Sequence, residues 1–439
     1  MKFSNLPLSL TDMSAPVIGI ASRTQTPKGL RLHIGLFGRR NAGKSSLINA
    51  LTNQKIAIVS DVPGTTTDPV EKACELAPIG PVVFIDTAGV DDVGELGGLR
   101  TERSLAVLGW VDVTLIVCDA KALTESELEL IRTVKSTATP TVVVLNKADT
   151  ADAKELIATQ EQVRSLGYEP VTVCASQKLN IDAVREAIVK LAQNAVEPDL
   201  PLLGDLVHPG DTVMLVTPID TGAPKGRMIL PQVQAIREVL DADAKCIVVR
   251  ENRLAETLTN EKEPPAFVVT DSQVVQSVVA QTPKTIPVTT FSIQMAYSKC
   301  DLVEMARGAA MIDFLRPGDK VMICETCSHH PQPDDIGRKK LPRWLAKKVG
   351  GELDIEVVVG KDFPVDLTPY KLILQCGGCV VTRRHMLTRL AQAKRQNIPM
   401  TNYGVAISHL QGVLERALEL HPKALKAFHE AREIFANHF

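Results

Sequence analysis

Three observations predict an α/β fold in several units. Short apolar runs recur between amphipathic stretches, a glycine-rich loop joins one such run to a helical pattern, and Asp- or Asn-led tetrapeptides close two other runs. Strand candidates are Leu32–Phe37, Val82–Ile85, Val113–Val117, Thr141–Leu145 and Pro170–Val173, separated by the helical stretches Ser45–Leu51, Glu125–Val134 and Ile181–Leu191. Strand, helix, strand repeated in this way implies a parallel-rich sheet covered on both faces. With 439 residues the chain exceeds one ordinary domain. The expected order is a leader at 1–30, a nucleotide-loop domain at 31–195 and two smaller α/β domains at 206–282 and 283–439. Val196–Pro209, with three prolines, reads as a linker between the first two. The second unit draws on Thr212–Val216, Lys245–Val249, Ala266–Val269 and the helical Leu230–Val239. The third draws on strands Lys320–Ile323, Asp354–Val359 and Leu372–Leu374 and helices Ile293–Met305, Arg384–Gln396 and Val405–Leu420.

Composition narrows the class. Hydrophobic residues at 45% and charged residues at 23% are the proportions of a soluble globular protein. A net charge of −2 and only 4% aromatics point away from nucleic acid as a partner. The basic run Arg338–Lys348 reads as a solvated helix face. No apolar run reaches membrane-spanning length and the N-terminus lacks the ordered regions of a signal peptide, so the expected address is cytoplasmic, away from any membrane. Nine cysteines in a reducing compartment read as metal or redox chemistry before disulfides.

The loop Gly38-Arg39-Arg40-Asn41-Ala42-Gly43-Lys44-Ser45, followed by Ser46, lies between a strand and a helix, the context that turns this pattern into a phosphate site. Its glycines let successive N–H groups face phosphate oxygens, with a helix dipole beneath. Lys44 supplies a point charge for the β- and γ-phosphates, and the Ser45 hydroxyl is placed for Mg²⁺. In Gly64-Thr65-Thr66-Thr67-Asp68, Thr66 is the expected sensor of γ-phosphate and Mg²⁺, with Thr65 next to it. Asp86-Thr87-Ala88-Gly89 ends a strand, so Asp86 reaches the metal's water shell and the Gly89 amide meets the γ-phosphate. Asn146-Lys147-Ala148-Asp149 ends another; the Asp149 carboxylate can accept both N1–H and N2–H of guanine, a pair of donors adenine lacks. Cys174-Ala175-Ser176 completes the base site, the Ala175 amide facing guanine O6. These elements in this order define a GTP site and a P-loop GTPase domain. The catalytic set is Lys44, Thr66, Asp86 and Gly89, turning GTP into GDP and phosphate.

Val90 follows Gly89, where Ras-like proteins place the glutamine that orients water. Asn41 in the phosphate loop, paired with the Thr-Thr-x-Asp loop, resembles the tRNA-modification (TrmE-like) GTPases, which implies a K⁺ ion held by Asn41 in place of an arginine finger and K⁺-stimulated hydrolysis. A cation there would stabilise charge developing on the phosphates.

The third unit holds Cys324-Glu-Thr-Cys327-Ser-His329-His330 and Cys376-Gly-Gly-Cys379. Two Cys-x-x-Cys pairs are a metal signal, because each spacing lets two thiolates converge from one tight turn, and spacing alone leaves both zinc and an iron–sulfur cluster open. Cys74, Cys118, Cys174, Cys246 and Cys300 are isolated and read as small core residues.

A GTPase domain joined to this cysteine domain resembles the FeFe-hydrogenase maturation GTPases, the HydF family, over almost the whole chain. Leu32–Leu51, Ile58–Val70, Ala223-Pro224-Lys225-Gly226, Leu230-Pro231-Gln232, Lys320–Pro331 and Leu372–Cys379 carry the likeness. That family's motif is Cys-x-His followed downstream by His-Cys-x-x-Cys; Cys327-Ser328-His329 and Cys376–Cys379 match it, and Gln375 replaces the second histidine. The resemblance implies a 4Fe–4S cluster at Cys327, Cys376 and Cys379, with the fourth iron site open or exchangeable and His329 nearby. Cys324 lies outside the motif and stands as an alternative ligand, not one of the core set. It further implies homodimerisation through the middle unit, and a scaffold that receives a two-iron precursor from radical-SAM maturases of the HydE and HydG type and delivers it to the hydrogenase apoprotein. GTP hydrolysis would time partner exchange. The alternative is an RNA- or ribosome-associated GTPase with a zinc-binding C-terminal domain.

Overall fold

A computed structural model describes residues 26–52, 70–89, 106–137, 139–194, 200–219, 228–326, 335–361 and 363–437. The first unit contains β1 (Leu32–Phe37), α1 (Lys44–Thr52), β2 (Val70–Leu76), β3 (Gly80–Asp86), β4 (Val113–Asp119), α2 (Glu125–Ser136), β5 (Thr141–Asn146), α3 (Ala153–Ser165), β6 (Val171–Thr172) and α4 (Ile181–Asn194). Its sheet runs β2-β3-β1-β4-β5-β6 and is parallel except for β2. All seven residues of β4 are buried. The apolar runs are continuous because both faces are covered: Ile34, Leu36 and Leu115 pack into one layer, and Phe37, Ile85 and Ile116 into the other. β2 escaped the sequence reading because it is an antiparallel edge, where Val70, Glu71, Ala73 and Glu75 face solvent and only Lys72 and Leu76 are buried. Helix starts obey their local signals. Thr124 with Glu127, and Asp152 with Glu155, form capping boxes.

The second unit is β7 (Thr212–Val216), α5 (Leu230–Asp241), β8 (Lys245–Val249), α6 (Leu254–Asn260), β9 (Phe267–Thr270), α7 (Val275–Gln281) and β10 (Val288–Thr290), an all-parallel sheet in the order β10-β9-β7-β8. Its edge strand therefore lies beyond residue 282. The third unit follows as α8 (Phe291–Lys299), α9 (Leu302–Ala309), β11 (Lys320–Glu325), α10 (Leu341–Val349), β12 (Asp354–Val359), β13 (Leu372–Gln375), α11 (Arg383–Arg395), β14 (Met400–Asn402), α12 (Tyr403–Leu410), α13 (Leu414–Ala417) and α14 (Pro422–Ala436). Its four strands are parallel, ordered β12-β11-β13-β14.

Three sequence expectations change. The single helix expected at Ile293–Met305 breaks at Cys300, where the backbone is extended, and restarts when the Asp301 carboxylate accepts from the Val303 and Glu304 N–H groups. Val405–Leu420 is likewise two helices, parted at Gly412. The expected linker is partly built in: Leu202 and Leu203 are fully buried, and the Glu238 carboxylate accepts from the N–H groups of Leu202, Leu203 and Gly204 at 3.0, 2.6 and 3.1 Å. A carboxylate supplies three acceptor directions that no helix end offers there.

The first and third units meet around Trp110. His33 meets its ring edge-on at 6.0 Å, His385 stacks on it at 6.5 Å, and Lys361 Nζ sits 3.2 Å above it while donating to Glu71 at 2.6 Å. Among the described residues neither His33 ring nitrogen has a hydrogen-bond partner. Burial, helped by the charge of Lys361, holds this imidazole down from 6.5 to about 3. The unfolded chain therefore takes up a proton on His33 before the folded one does. The contribution of His33 to stability is full above pH 6.5 and is lost as pH drops toward 3. Urea midpoints measured across this range should decline on the acid side for the parent protein and more shallowly for His33→Phe.

Candidate nucleotide and metal-cluster sites

The phosphate loop leaves the carboxyl end of β1. Gly38 adopts φ +146° and Gly43 φ +94°, and a Cβ on them would lie 2.1 Å from the Val117 carbonyl oxygen and 2.2 Å from Asn146 Nδ2. Only glycine fits so close to β4 and β5. Lys44 is buried at the start of α1 and donates to the Gly38 and Arg39 carbonyls at 2.9 and 3.0 Å. The Ser45 hydroxyl donates to Asp86 Oδ2 at 2.7 Å, so the two groups expected at Mg²⁺ are already adjacent. Thr87 anchors the exit of β3 by donating its hydroxyl to the Leu36 carbonyl at 2.6 Å. Lys72 lies near enough for the charge of Asp86 to offset, in part, the lowering of its ammonium by burial.

Asn146 does more than the sequence assigned to it. It is 2% exposed, donates to the Ala42 carbonyl at 2.9 Å and accepts from the Ala175 N–H at 3.0 Å, tying the phosphate loop to both base loops. Lys147 takes a left-handed conformation (φ +61°) and reaches Asp119 Oδ2 at 3.3 Å. Asp149 accepts from Cys174 Sγ at 3.1 Å and from Gln177 Nε2 at 3.2 Å, which presents its carboxylate beside Cys174-Ala175-Ser176. Cys174 is thus a working part of the base site as well as a buried residue. Asn41 lies exposed on the loop at φ +59°. The structure therefore brings together Gly38, Asn41–Ser46, Asp86, Asn146, Lys147, Asp149 and Cys174–Ser176, and Gly89 is buried just past the end of β3. Thr65, Thr66 and Val90 lie outside the described residues.

Sequence reading missed Arg39 and Asp119. Asp119 ends β4 as Asp86 ends β3, and that repeated strand-end aspartate was the available signal. Against the opposing effect of burial, the Lys121 amide and the side chains of Lys147 and Arg39 hold its carboxyl below the usual range. Arg39 reaches Asp119 at 3.1 Å and the fully buried Glu127 at 3.5 Å, so one charge network spans the phosphate and base loops.

In the third unit, β11 and β13 run side by side with Cys324 opposite Gln375. Cys324 is buried and packs in the hydrophobic core, where burial pushes its thiol up to about 12. Cys376 and Cys379 sit just past β13. Cys376 Sγ lies 3.2 Å from the Thr326 N–H, 3.1 Å from the Thr326 hydroxyl and 3.4 Å from Gln375 Nε2. Donors converging on one sulfur suit a thiolate ligand. Burial, then the neighbouring Cys376, pushes the Cys379 thiol up to about 11. Cys327 and His329 lie outside the described residues, among which no group of three His, Cys, Asp or Glu is spaced to hold a metal ion. The two described thiols fit a cluster in their chemistry. Part of the basic run is internally engaged, Arg338 with Glu325 at 2.9 Å and Lys348 with Asp313 at 2.8 Å.

The fold and the phosphate site define a P-loop protein of the GTPase class, extended by two further parallel α/β units. Residues 33–147 match the family model of the 50S ribosome-binding GTPases, 202–300 the hydrogen maturase F dimerization domain and 303–420 the hydrogen maturase F tetramerization domain. The chain belongs to the hydrogen maturase F family. Among curated relatives, the tRNA modification GTPase MnmE of Trichormus variabilis is 38% identical over 167 residues, 37% of this chain and 34% of that protein. GTPase Der of a Sulfurihydrogenibium species is 34% identical over 174 residues, 37% of this chain and 39% of that one. The chain thus spans little more than a third of the length of these relatives. Of solved structures, Era of Aquifex aeolicus bound to GDP and aluminium fluoride shares 20% identity over 52% of this chain and 97% of that one, with a TM-score of 0.34. Among the described residues no helix is long and apolar enough to cross a membrane.

Asn146→Ala removes two buried hydrogen bonds, each costing about 1–3 kcal/mol when left unmade. Titration with a fluorescent GDP analogue should show affinity reduced by about tenfold or more.

Proposed function

We propose that the chain is a GTP-hydrolysing switch joined to an iron–sulfur scaffold that serves hydrogenase maturation in the cytoplasm. In the nucleotide site, Lys44 would exchange its carbonyl partners for β- and γ-phosphate oxygens, while Ser45 and Thr66 would hold Mg²⁺ and Asp86 its water shell. Mg²⁺ bound there would neutralise charge on the phosphates. Asp149 selects guanine through its paired acceptors. In the third unit, Cys327, Cys376 and Cys379 would hold a 4Fe–4S cluster, which supplies an iron able to take a further ligand. The cargo is a two-iron precursor, received from radical-SAM maturases and passed to the hydrogenase apoprotein by an oligomer of this chain. The family's dimerization and tetramerization domains support assembly beyond the homodimer expected from the sequence.

One observation carries the coupling of the two sites. The segment leading into β1 packs on the cysteine loop: a Cβ at Gly29 would lie 2.5 Å from the Cys379 carbonyl oxygen, and Lys299 Nζ donates to the Gly29 carbonyl at 2.7 Å. The strand that ends in the phosphate loop therefore begins against Cys379. A shift of β1 on nucleotide exchange would reach the cysteine loop without an intermediary.

Lys44→Ala should abolish GTP hydrolysis and leave iron content intact, and Cys376→Ala should do the reverse, as read by phosphate release and iron analysis. Loss of both properties in either folded variant would refute two separable sites. Replacing K⁺ by Na⁺ should slow phosphate release severalfold in the parent but not in Asn41→Ala. Equal rates in the parent would remove the role proposed for Asn41.

A further inference from the structure

Gln375 stands where the family motif has histidine, and its surroundings define a different task. It is fully buried at the end of β13, beside Cys376. Arg389, 2% exposed on α11, donates through Nη1 to Gln375 Oε1 at 3.0 Å and through Nη2 to the Gly360 carbonyl at 2.9 Å, with its guanidinium 5.0 Å over the Phe363 ring. A guanidinium has donors only, so the carboxamide must turn its oxygen toward Arg389. The amide orientation follows from this contact. The Nε2 end then faces the other way, 3.4 Å from Cys376 Sγ and 3.3 Å from the Cys376 carbonyl. The same sulfur is also approached by the N–H and hydroxyl of Thr326. The oxygen is oriented toward Arg389, and the amide nitrogen's lone pair is delocalised into the carbonyl, so neither end is set as an iron ligand.

We propose that Gln375 is a positioning residue for the cluster: aimed by Arg389, it donates to the Cys376 sulfur and sets the reduction potential there, and it does not ligate iron. This rests on the reading of Cys376 as a cluster ligand. Hydrogen bonds to ligand sulfur withdraw electron density and favour the reduced cluster, and a buried cation behind the amide strengthens the donor. Chains with histidine at this position would present an imidazole to the same space. Here the amide N–H groups reach the Cys376 sulfur and the Cys376 and Cys324 carbonyls, and position 375 supplies no ligand to iron.

The test uses the full chain reconstituted anaerobically with ferrous iron and sulfide, as parent, Gln375→Met and Gln375→Asn. Asparagine keeps an amide for Arg389 but is one methylene too short to span both partners, so it carries the test should the methionine variant fail to fold. Iron per chain should be unchanged, and the midpoint potential from spectroelectrochemistry should move to more negative values in both variants. Pulsed electron paramagnetic resonance should show no strongly coupled nitrogen that disappears in Gln375→Met. Unchanged potentials in the folded variants, or loss of such a nitrogen coupling, would overturn the role of Gln375 while leaving the cluster in place. A parent chain that takes up no cluster would instead overturn the cluster reading and this inference with it.

Discussion

Parallel strands leave their carboxyl ends along one edge of a sheet, and the loops that exit there carry backbone groups no ladder satisfies. This constraint organises both sites. β1, β3, β5 and β6 deliver the phosphate loop, Asp86, Asn146–Asp149 and Cys174–Ser176 to one edge of the first sheet. β11 and β13 deliver Thr326 and Cys376 to the same kind of edge in the third. The opposite end of β1 is where the two meet. Because β1 lies centrally between β3 and β4, its carboxyl end faces phosphate while its lead-in at Gly29 rests on Cys379. One strand thus opens into the phosphate loop at one end, while the segment entering its other end packs on the Cys376–Cys379 loop.

The nucleotide edge is held by polar contacts that leave little freedom. Asn146 bridges two loops through a single carboxamide, and Asp119 gathers Arg39 and Lys147 at a third strand end. Such contacts act before any phosphate arrives, because a group already oriented by the protein need not reorganise when charge develops. The junction around Trp110 works differently. It places His33, His385 and Lys361 against one indole ring, with Glu71 closing the set from an edge strand. Its polar groups lose hydration there, so burial shapes their ionisation more than any neighbouring charge.

Much of the first unit was legible because its signals are local. The spacing between Gly43, Lys44 and Ser45, and the aspartates closing apolar runs, record what a short stretch of backbone must do around a phosphate or a base. Asn146 was legible as a motif member, though not as a brace, because its partners Ala42 and Ala175 are distant in the chain. β2 was hidden because an edge strand with one buried face carries charged residues that mimic a loop. Cys324 shows the same limit: its burial depends on the elements packed around β11, which Cys-x-x-Cys spacing does not record.

The sequence by itself determined the chemistry available: a GTP site, a set of cysteines and an α/β frame of three units. These depend on residue identity and short spacing, which the chain carries without folding. Tertiary structure decided what each residue does with its neighbours. Gln375 became a donor because Arg389, from another element, claims its oxygen, and Cys324 became core because β13 and α11 cover it. Gly29 acquired meaning only when Cys379 came to rest against it. Each of these depends on contacts between distant segments, which spacing along the chain does not record.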